Sequence, residues 1–446
     1  MPPLDALFGS PLVDAVFSDE SRLGRMLDFE AALARAEARC GVIPGAAAEV
    51  IAGKCKPELL DAAALAQSTK LSANPAIPMV KQLTALVAIQ DQYAARFVHW
   101  GATSQDVNDT GLVLQIREAW GILDSDLSGF CATLAVMAQQ YRSTVILGRT
   151  LMQHAQPTTF GAKVAAWLDA MHRHRVRFRE IGKRVFVLQF GGAVGTLAAL
   201  REKGLDVSEA LAQELKLELP DIPWHTQRDR LVEVATTLGL CTGTLGKIAR
   251  DISVHMQPEI AELFEPAGDG RGGSSSMPHK RNPVSAARIL AAAIRVPALV
   301  STMLTAMVQE DERGLGNWHA EWETLPEIVR LTAGALHEMK EVMPLLEVDV
   351  KKMRSNLDQT HGLVFAEAVS MALAEYMGKS GAHGVVEAAS QRVRATGKTL
   401  SEELQQNPSV KQVLSTEVLN QLFIPERYLG SAEAFVDRVI ASTQQL

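Results

Sequence analysis

Aromatic side chains are scarce in this chain, at 5% of 446 residues, although 47% of the residues are hydrophobic. Apolar mass carried by alanine, leucine and valine instead points to a helical protein. Cysteine is rarer still. Cys40, Cys55, Cys131 and Cys241 show no CxxC or zinc-finger spacing, which excludes a disulfide scaffold and leaves reduced thiols, as in a cytosolic protein. Excess positive charge is absent too. A net charge of −7 argues against nucleic acid as the main partner. Alternating strand patterns of useful length, internal repeats and low-complexity tracts are missing. The opening residues, Met-Pro-Pro-Leu-Asp-Ala-Leu, have no basic segment before an apolar run, so no signal peptide is expected.

What is present is helical periodicity. Long patterns fall at roughly 112–141, 158–188, 227–257, 283–310 and 325–343. Shorter ones cover Asp28–Arg39, Pro57–Ala66 and about 79–95. The expected fold is all-α in three parts: an N-terminal domain over 1–110, a central long-helix bundle over 111–355 and a C-terminal domain over 356–446. The run Ile289–Val308 approaches membrane-spanning length. Arg295 and Pro297 interrupt it, and a bundle helix that is apolar on nearly all sides is expected, with no membrane.

One stretch stands out, Gly268 to Pro283, reading Gly-Asp-Gly-Arg-Gly-Gly-Ser-Ser-Ser-Met-Pro-His-Lys-Arg-Asn-Pro. Its glycines favour a loop. Hydroxyls follow at Ser274, Ser275 and Ser276, then positive charge at His279, Lys280 and Arg281. Asn282-Pro283 reads as a helix start, with Asn as N-cap and Pro at the first helical position. A donor-rich loop leading into a helix N-terminus suits an anion.

The order from Gly273 to Pro283 resembles the hallmark of the fumarase/aspartase superfamily of lyases, Gly-Ser-Ser-x-Met-Pro-x-Lys-x-Asn-Pro. Three further stretches carry the likeness. His99 to Thr110 resembles the first signature, His-x-Gly-x-Thr-Ser-x-Asp-x-x-Asp-Thr, in which the Thr-Ser pair binds a substrate carboxylate. Gly148 to Gly161 resembles the second, Gly-Arg-Thr-His-x-x-x-Ala-x-Pro-x-Thr-x-Gly. Trp224 to Arg230 resembles the Gln-Arg-Asp-Arg run of adenylosuccinate lyases, in which the Gln contacts substrate; Arg228 and Arg230 fit structural ion pairs equally well.

The second signature is altered. Leu151 stands where most members carry a proton-transfer His, and Ala287 where its Glu partner would be. The run Glu312-Arg313-Gly314 through Trp318-His319-Ala320-Glu321-Trp322 resembles the lactone-forming branch, the 3-carboxy-cis,cis-muconate cycloisomerases. So does Arg-Thr-x-x-Gln-His-Ala-x-Pro-x-Thr-Phe-Gly.

The resemblance implies interconversion of a tricarboxylate, 3-carboxy-cis,cis-muconate, and 4-carboxymuconolactone, a step in protocatechuate breakdown. It implies Ser274 exchanging the carbon-bound proton, with Lys280 stabilising its alkoxide and His154 as a helper. It implies substrate binding by His99, Thr103, Ser104, Arg149, Thr150, Gln153, Gln227, Ser275, Met277, Asn282 and Arg313, where Arg313 can grip a carboxylate bidentately. It further implies a cytoplasmic homotetramer with active sites shared between subunits, and neither metal nor organic cofactor. Two readings stay beside it: a fumarate-releasing lyase like adenylosuccinate lyase, and a non-catalytic helical structural protein on the same scaffold.

Overall fold

The computed structural model describes residues 7–268, 272–273, 277 and 279–443. Among these, helix dominates and strand is confined to two two-stranded sheets, in keeping with the all-α expectation. The chain falls into two compact units. The first comprises 1–127, 174–246 and 288–338, and the second 128–173, 247–287 and 339–446.

In the first unit, helix α1 (Asp19–Arg39) starts where Ser18 Oγ accepts the Ser21 N–H, a side-chain cap for a free backbone donor. It begins nine residues before the pattern at Asp28 suggests. Met26, Phe29, Leu33 and Ala36 line its buried face at helical spacing. That face packs against α2 (Gly45–Lys54) and the helix Gly204–Leu215. The same face also carries two fully buried carboxyls, Glu30 and Glu37.

The short helix expected over Pro57–Ala66 is instead a turn, Pro57–Leu59, followed by a helix, Ala62–Ser72. The cause is Asp61, whose carboxylate accepts the Ala64 N–H at 3.0 Å and starts a new helix there. Helix α3 (Ala76–Gln90) follows.

Five long helices come next: α4 (Ser104–Gln140), α5 (Phe160–Val185), α6 (Asp229–His255), α7 (Val284–Ala306) and α8 (Asn317–Val342). Helix α7 runs through Pro297. It is not buried all round within the chain, since Ile294 and Leu304 are exposed. By length and composition alone, α4 and α7 could each cross a membrane.

In the second unit, strands β1 (Val145–Thr150) and β2 (Gln153–Thr159) form an antiparallel hairpin. Helix α5 follows at once. It lies so close to the preceding chain that a Cβ on Gly161 would come within 2.7 Å of the Ala138 and Tyr141 carbonyl oxygens. Strands β3 (Leu263–Phe264) and β4 (Glu347–Val348) make the second small sheet. Near the C-terminus, α9 (Ala366–Thr396) kinks at Gly378, where φ is 74°. It buries Val369, Leu373, Val386 and Val393 against Leu400 and Leu404.

Candidate functional site

The first signature does not form a loop through Thr110. Helix α4 begins at Ser104. Thr103 is its cap, and Asp106 Oδ2 reaches back to accept the Thr103 N–H at 3.0 Å, the reciprocal half of a capping box. Asp106 is fully buried and gathers four more donors. Its Oδ1 accepts from Gln189 Nε2 at 3.1 Å, the Gly191 N–H at 3.0 Å and His225 Nε2 at 3.0 Å. Its Oδ2 also accepts the Gly192 N–H at 2.9 Å. A carboxylate so saturated is an anchor: it fixes the helix start, the 189–192 turn and His225 to one point.

Asp109 anchors a second network. Its carboxylate accepts from Arg228 through Nη1 at 2.7 Å and Nη2 at 3.1 Å, from Trp318 Nε1 at 2.9 Å and from Gln105 Nε2 at 3.0 Å. Arg228 also donates to Glu321 and lies over the Trp224 ring. Burial works against the Arg228 charge, but Asp109 and Glu321 outweigh it and raise its pKa. Of the sequence alternatives for Arg228, the structural ion pair is the one realised. Gln227 next to it is exposed.

Arg313 behaves differently. Its Nε donates to Gln105 Oε1, and its Nη2 donates to Thr103 Oγ1 and the Ala193 carbonyl, each at 3.1 Å. All three acceptors are neutral, and no carboxylate pairs with it among the described residues. His99 is held at a φ of 58°, uncommon for a non-glycine residue. Its Nδ1 lies 2.7 Å from Glu30 Oε1. Burial would lower its pKa, but the Glu30 carboxylate overrides this and raises it.

In the second unit, Leu151 and Met152 form the two-residue hairpin turn, with φ of 49° and 63°. Such turns favour Asn-Gly, because both central residues are left-handed. Both side chains are exposed, Leu151 by 97%. The register pairs Arg149 with His154 and Thr150 with Gln153, so each pair shares a face and the two pairs point opposite ways.

The Arg149 fork is already engaged, donating to Glu262 at 2.9 and 3.0 Å. Glu262 also receives Asn356 Nδ2 at 2.8 Å and contacts His255 Nδ1 at 2.7 Å. Burial opposes its ionisation, yet the His255, Arg149 and Asn356 bonds prevail and hold its pKa at about 2. Burial lowers the His255 pKa. Beside this cluster lies a cavity of about 470 Å³, reached by Arg149, His154 and Lys163.

Ser274 and Ser275 lie outside the described residues. The base of their loop is defined: the Asn282 N–H donates to the Gly272 carbonyl at 2.9 Å. Gly272 has a φ of 66°, and a Cβ there would meet the Asn282 oxygen at 2.8 Å, which explains the glycine. Arg281 is clamped by Glu347 at 2.7 and 3.0 Å and by the Glu265 carbonyl at 2.6 Å. Lys280 and Met277 are exposed and Asn282 is half-buried.

The helix start after this loop departs from the expected Asn cap. The Ser285 and Ala286 N–H groups donate to Glu265 at 2.9 and 2.8 Å. The anion at this N-terminus is the protein's own carboxylate.

The structure therefore brings Thr103, Ser104 and Arg313 into one corner of the first unit. It sets Arg149, Thr150, Gln153 and His154 on one hairpin of the second. Sequence reasoning missed Asn74, Gln105, Glu262 and Glu265. The Thr-x-x-Asp spacing at 103–106 was a readable cap signal. The contacts that matter for the others join residues apart in sequence, Asn74 to Ser104, Gln105 to Arg313, Glu262 to Arg149 and Glu265 to Ser285.

A family described as "Lyase" matches residues 10–298, and one described as "Adenylosuccinate lyase C-terminus" matches 362–439. A 3-carboxy-cis,cis-muconate cycloisomerase of Pseudomonas aeruginosa is 54% identical over 99% of this chain and 96% of its own. Its namesake from Bradyrhizobium diazoefficiens is 51% identical over 100% and 98%. The crystal structure of 3-carboxy-cis,cis-muconate lactonizing enzyme from Pseudomonas putida superposes with a TM-score of 0.95 at 49% identity, covering 100% of this chain and 99% of that one.

Proposed function

Because the chain belongs to the lyase family of the fumarase/aspartase superfamily, we propose that it interconverts 3-carboxy-cis,cis-muconate and 4-carboxymuconolactone. The observation that carries this reading is the end-to-end likeness, near half identity or above, to enzymes bearing that activity in their names. In the lactonising direction a carboxylate oxygen adds to a double bond, and the carbon beside another carboxylate takes a proton. The trianion becomes a dianion, one proton is consumed and no electrons are transferred.

The attacking carboxylate is already ionised and needs no base, which accommodates Leu151 and Ala287. The difficult moment is the build-up of charge on the carboxylate next to the protonated carbon. Donors fixed in advance stabilise it. We assign such donors to Thr103, Ser104, Arg313, Lys280 and Asn282, which sites shared between subunits would bring together. Ser274 is assigned the carbon-bound proton from its place in the hallmark, with Lys280 favouring its alkoxide. Thr150 and Gln153 add contacts from one face of the hairpin, while His154 lies on the other face beside Arg149. Arg149 is committed to Glu262 and steadies that hairpin. The exposed apolar residues of α7 suit packing in a homotetramer with shared sites, working in the cytoplasm.

A spectrophotometric assay tests this reading. Loss of diene absorbance from carboxymuconate supports it, and fumarate released from adenylosuccinate, or neither signal, refutes it. Ser274→Ala should cut turnover by orders of magnitude without unfolding the protein; near-wild-type turnover would remove Ser274 from the mechanism. Mixing two inactive variants mutated in different signatures should restore activity if sites are shared between subunits.

A further inference from the structure

The donors around Thr103 are oriented by two buried amides. Ser104 Oγ accepts from Asn74 Nδ2 at 3.0 Å. Asn74 is buried and its orientation is locked. Its Oδ1 accepts the Ala76 N–H at 3.0 Å and Asn108 Nδ2 at 3.1 Å, and a flipped amide would set its NH₂ against the Ala76 N–H. With that NH₂ facing the Ser104 oxygen, the Ser104 hydrogen is turned away from Asn74.

Gln105 does the opposite job. Its Nε2 is used by Asp109 at 3.0 Å and by the His225 carbonyl at 2.7 Å. What it shows to Arg313 is therefore its oxygen. Arg313 donates through Nε and Nη2 to neutral acceptors. No bond within the described residues uses its Nη1, and no carboxylate pairs with it. Thr103 Oγ1, having accepted from Arg313, also keeps its hydrogen available.

Three neighbouring groups thus have hydrogens in reserve: the Ser104 and Thr103 hydroxyls, whose oxygens already accept, and Arg313 Nη1, which only donates. We propose that Asn74 and Gln105 are positioning residues that hold these donors ready for one substrate carboxylate, and so set the affinity for it. This inference rests on reading the protein as a polycarboxylate enzyme. The physical reason is preorganisation: a hydroxyl free to rotate must be ordered by the ligand, and that cost lowers affinity.

The discriminating variants are Asn74→Asp and Asn74→Ala. Aspartate keeps the shape and the bond to the Ala76 N–H. Its second oxygen accepts the Ser104 hydrogen and turns it away from the ligand. Alanine merely frees the hydroxyl. The expected KM for carboxymuconate is therefore highest for Asp, roughly 20-fold up, and intermediate for Ala, roughly fivefold up, with kcat reduced less than about threefold in both. Gln105→Met should raise KM to about the level of the alanine variant.

A purely structural role predicts the reverse order, because aspartate is the closer isostere, and it places the loss in kcat and thermal stability. That pattern, or unchanged KM in all three variants, overturns the proposal. The affinity of each variant for tricarballylate, measured by calorimetry, gives a readout independent of turnover. If the wild type fails to turn over carboxymuconate, the functional reading falls. The ranking in tricarballylate affinity then still decides the roles of Asn74 and Gln105.

Discussion

Two arginines, each in a signature stretch, meet opposite fates. Arg149 sits on β1 and spends its fork on the buried Glu262. Arg313 is held just as firmly, but by an amide oxygen, a hydroxyl and a backbone carbonyl. The first arginine is neutralised in place by a carboxylate. The second keeps its charge. A count of basic residues in a motif therefore says little about binding; what matters is whether the groups that fix each one also cancel it.

The largest test of this contrast is Arg313→Gln. It should lower kcat/KM by about 100- to 1,000-fold, roughly 3–4 kcal/mol, through loss of a charge-assisted grip. Thermal stability should barely change. A large fall in Tm would erase the distinction.

Arg149→Met comes next and should do the reverse. It strips a buried carboxylate of its cation, at a cost of about 2–4 kcal/mol in urea unfolding. KM in the fraction that remains folded should stay near the wild-type value.

Glu37 sharpens the contrast from the first unit, as a buried acid whose two oxygens have no hydrogen-bond partner among the described residues. Burial, with Glu30 nearby, pushes its pKa up to about 9. The folded state thus holds a proton that the unfolded state releases above its ordinary carboxyl pKa of 4.5. Stability should fall as pH rises from about 5 towards 9, by at most ~1.4 kcal/mol per unit for one proton. Glu37→Gln should flatten that slope, seen in chemical unfolding at pH 6 and pH 8.5. An equal slope in both proteins would mean Glu37 is ionised in the fold.

The smallest effect concerns the hairpin that carries Arg149. Replacing Leu151-Met152 with Asn-Gly should relieve two left-handed backbone positions and raise stability by about 1 kcal/mol, read as a higher Tm.

Much of this was legible in the sequence. The long helices fall within a few residues of their periodic patterns, except α4 and α8, which begin about eight residues early. At α4 the reason is the Thr103–Asp106 cap. At α8 the Asn317–Trp322 stretch reads as a polar motif, although Trp318 and Glu321 form the buried face of its first turns. The hairpin was invisible because Leu-Met is not turn chemistry. Strand pairing there rests on register and on the close approach of Gly148 to the Gln156 carbonyl oxygen, and neither leaves a local mark. In the candidate site, the residues assigned to ligand contact are those with recognisable motif spacing. Their supports did not: Asn74 reaches Ser104 across 30 positions and Gln105 reaches Arg313 across 208.

Glu265 has a consequence for how the molecule handles solution ions. By filling the start of α7 from within, it settles the electrostatics of that helix end when the chain folds. Buffer sulfate or phosphate has nothing to compete for there. Inhibition by such simple salts should trace in large part to the guanidinium of Arg313, and Arg313→Gln should become less sensitive to them.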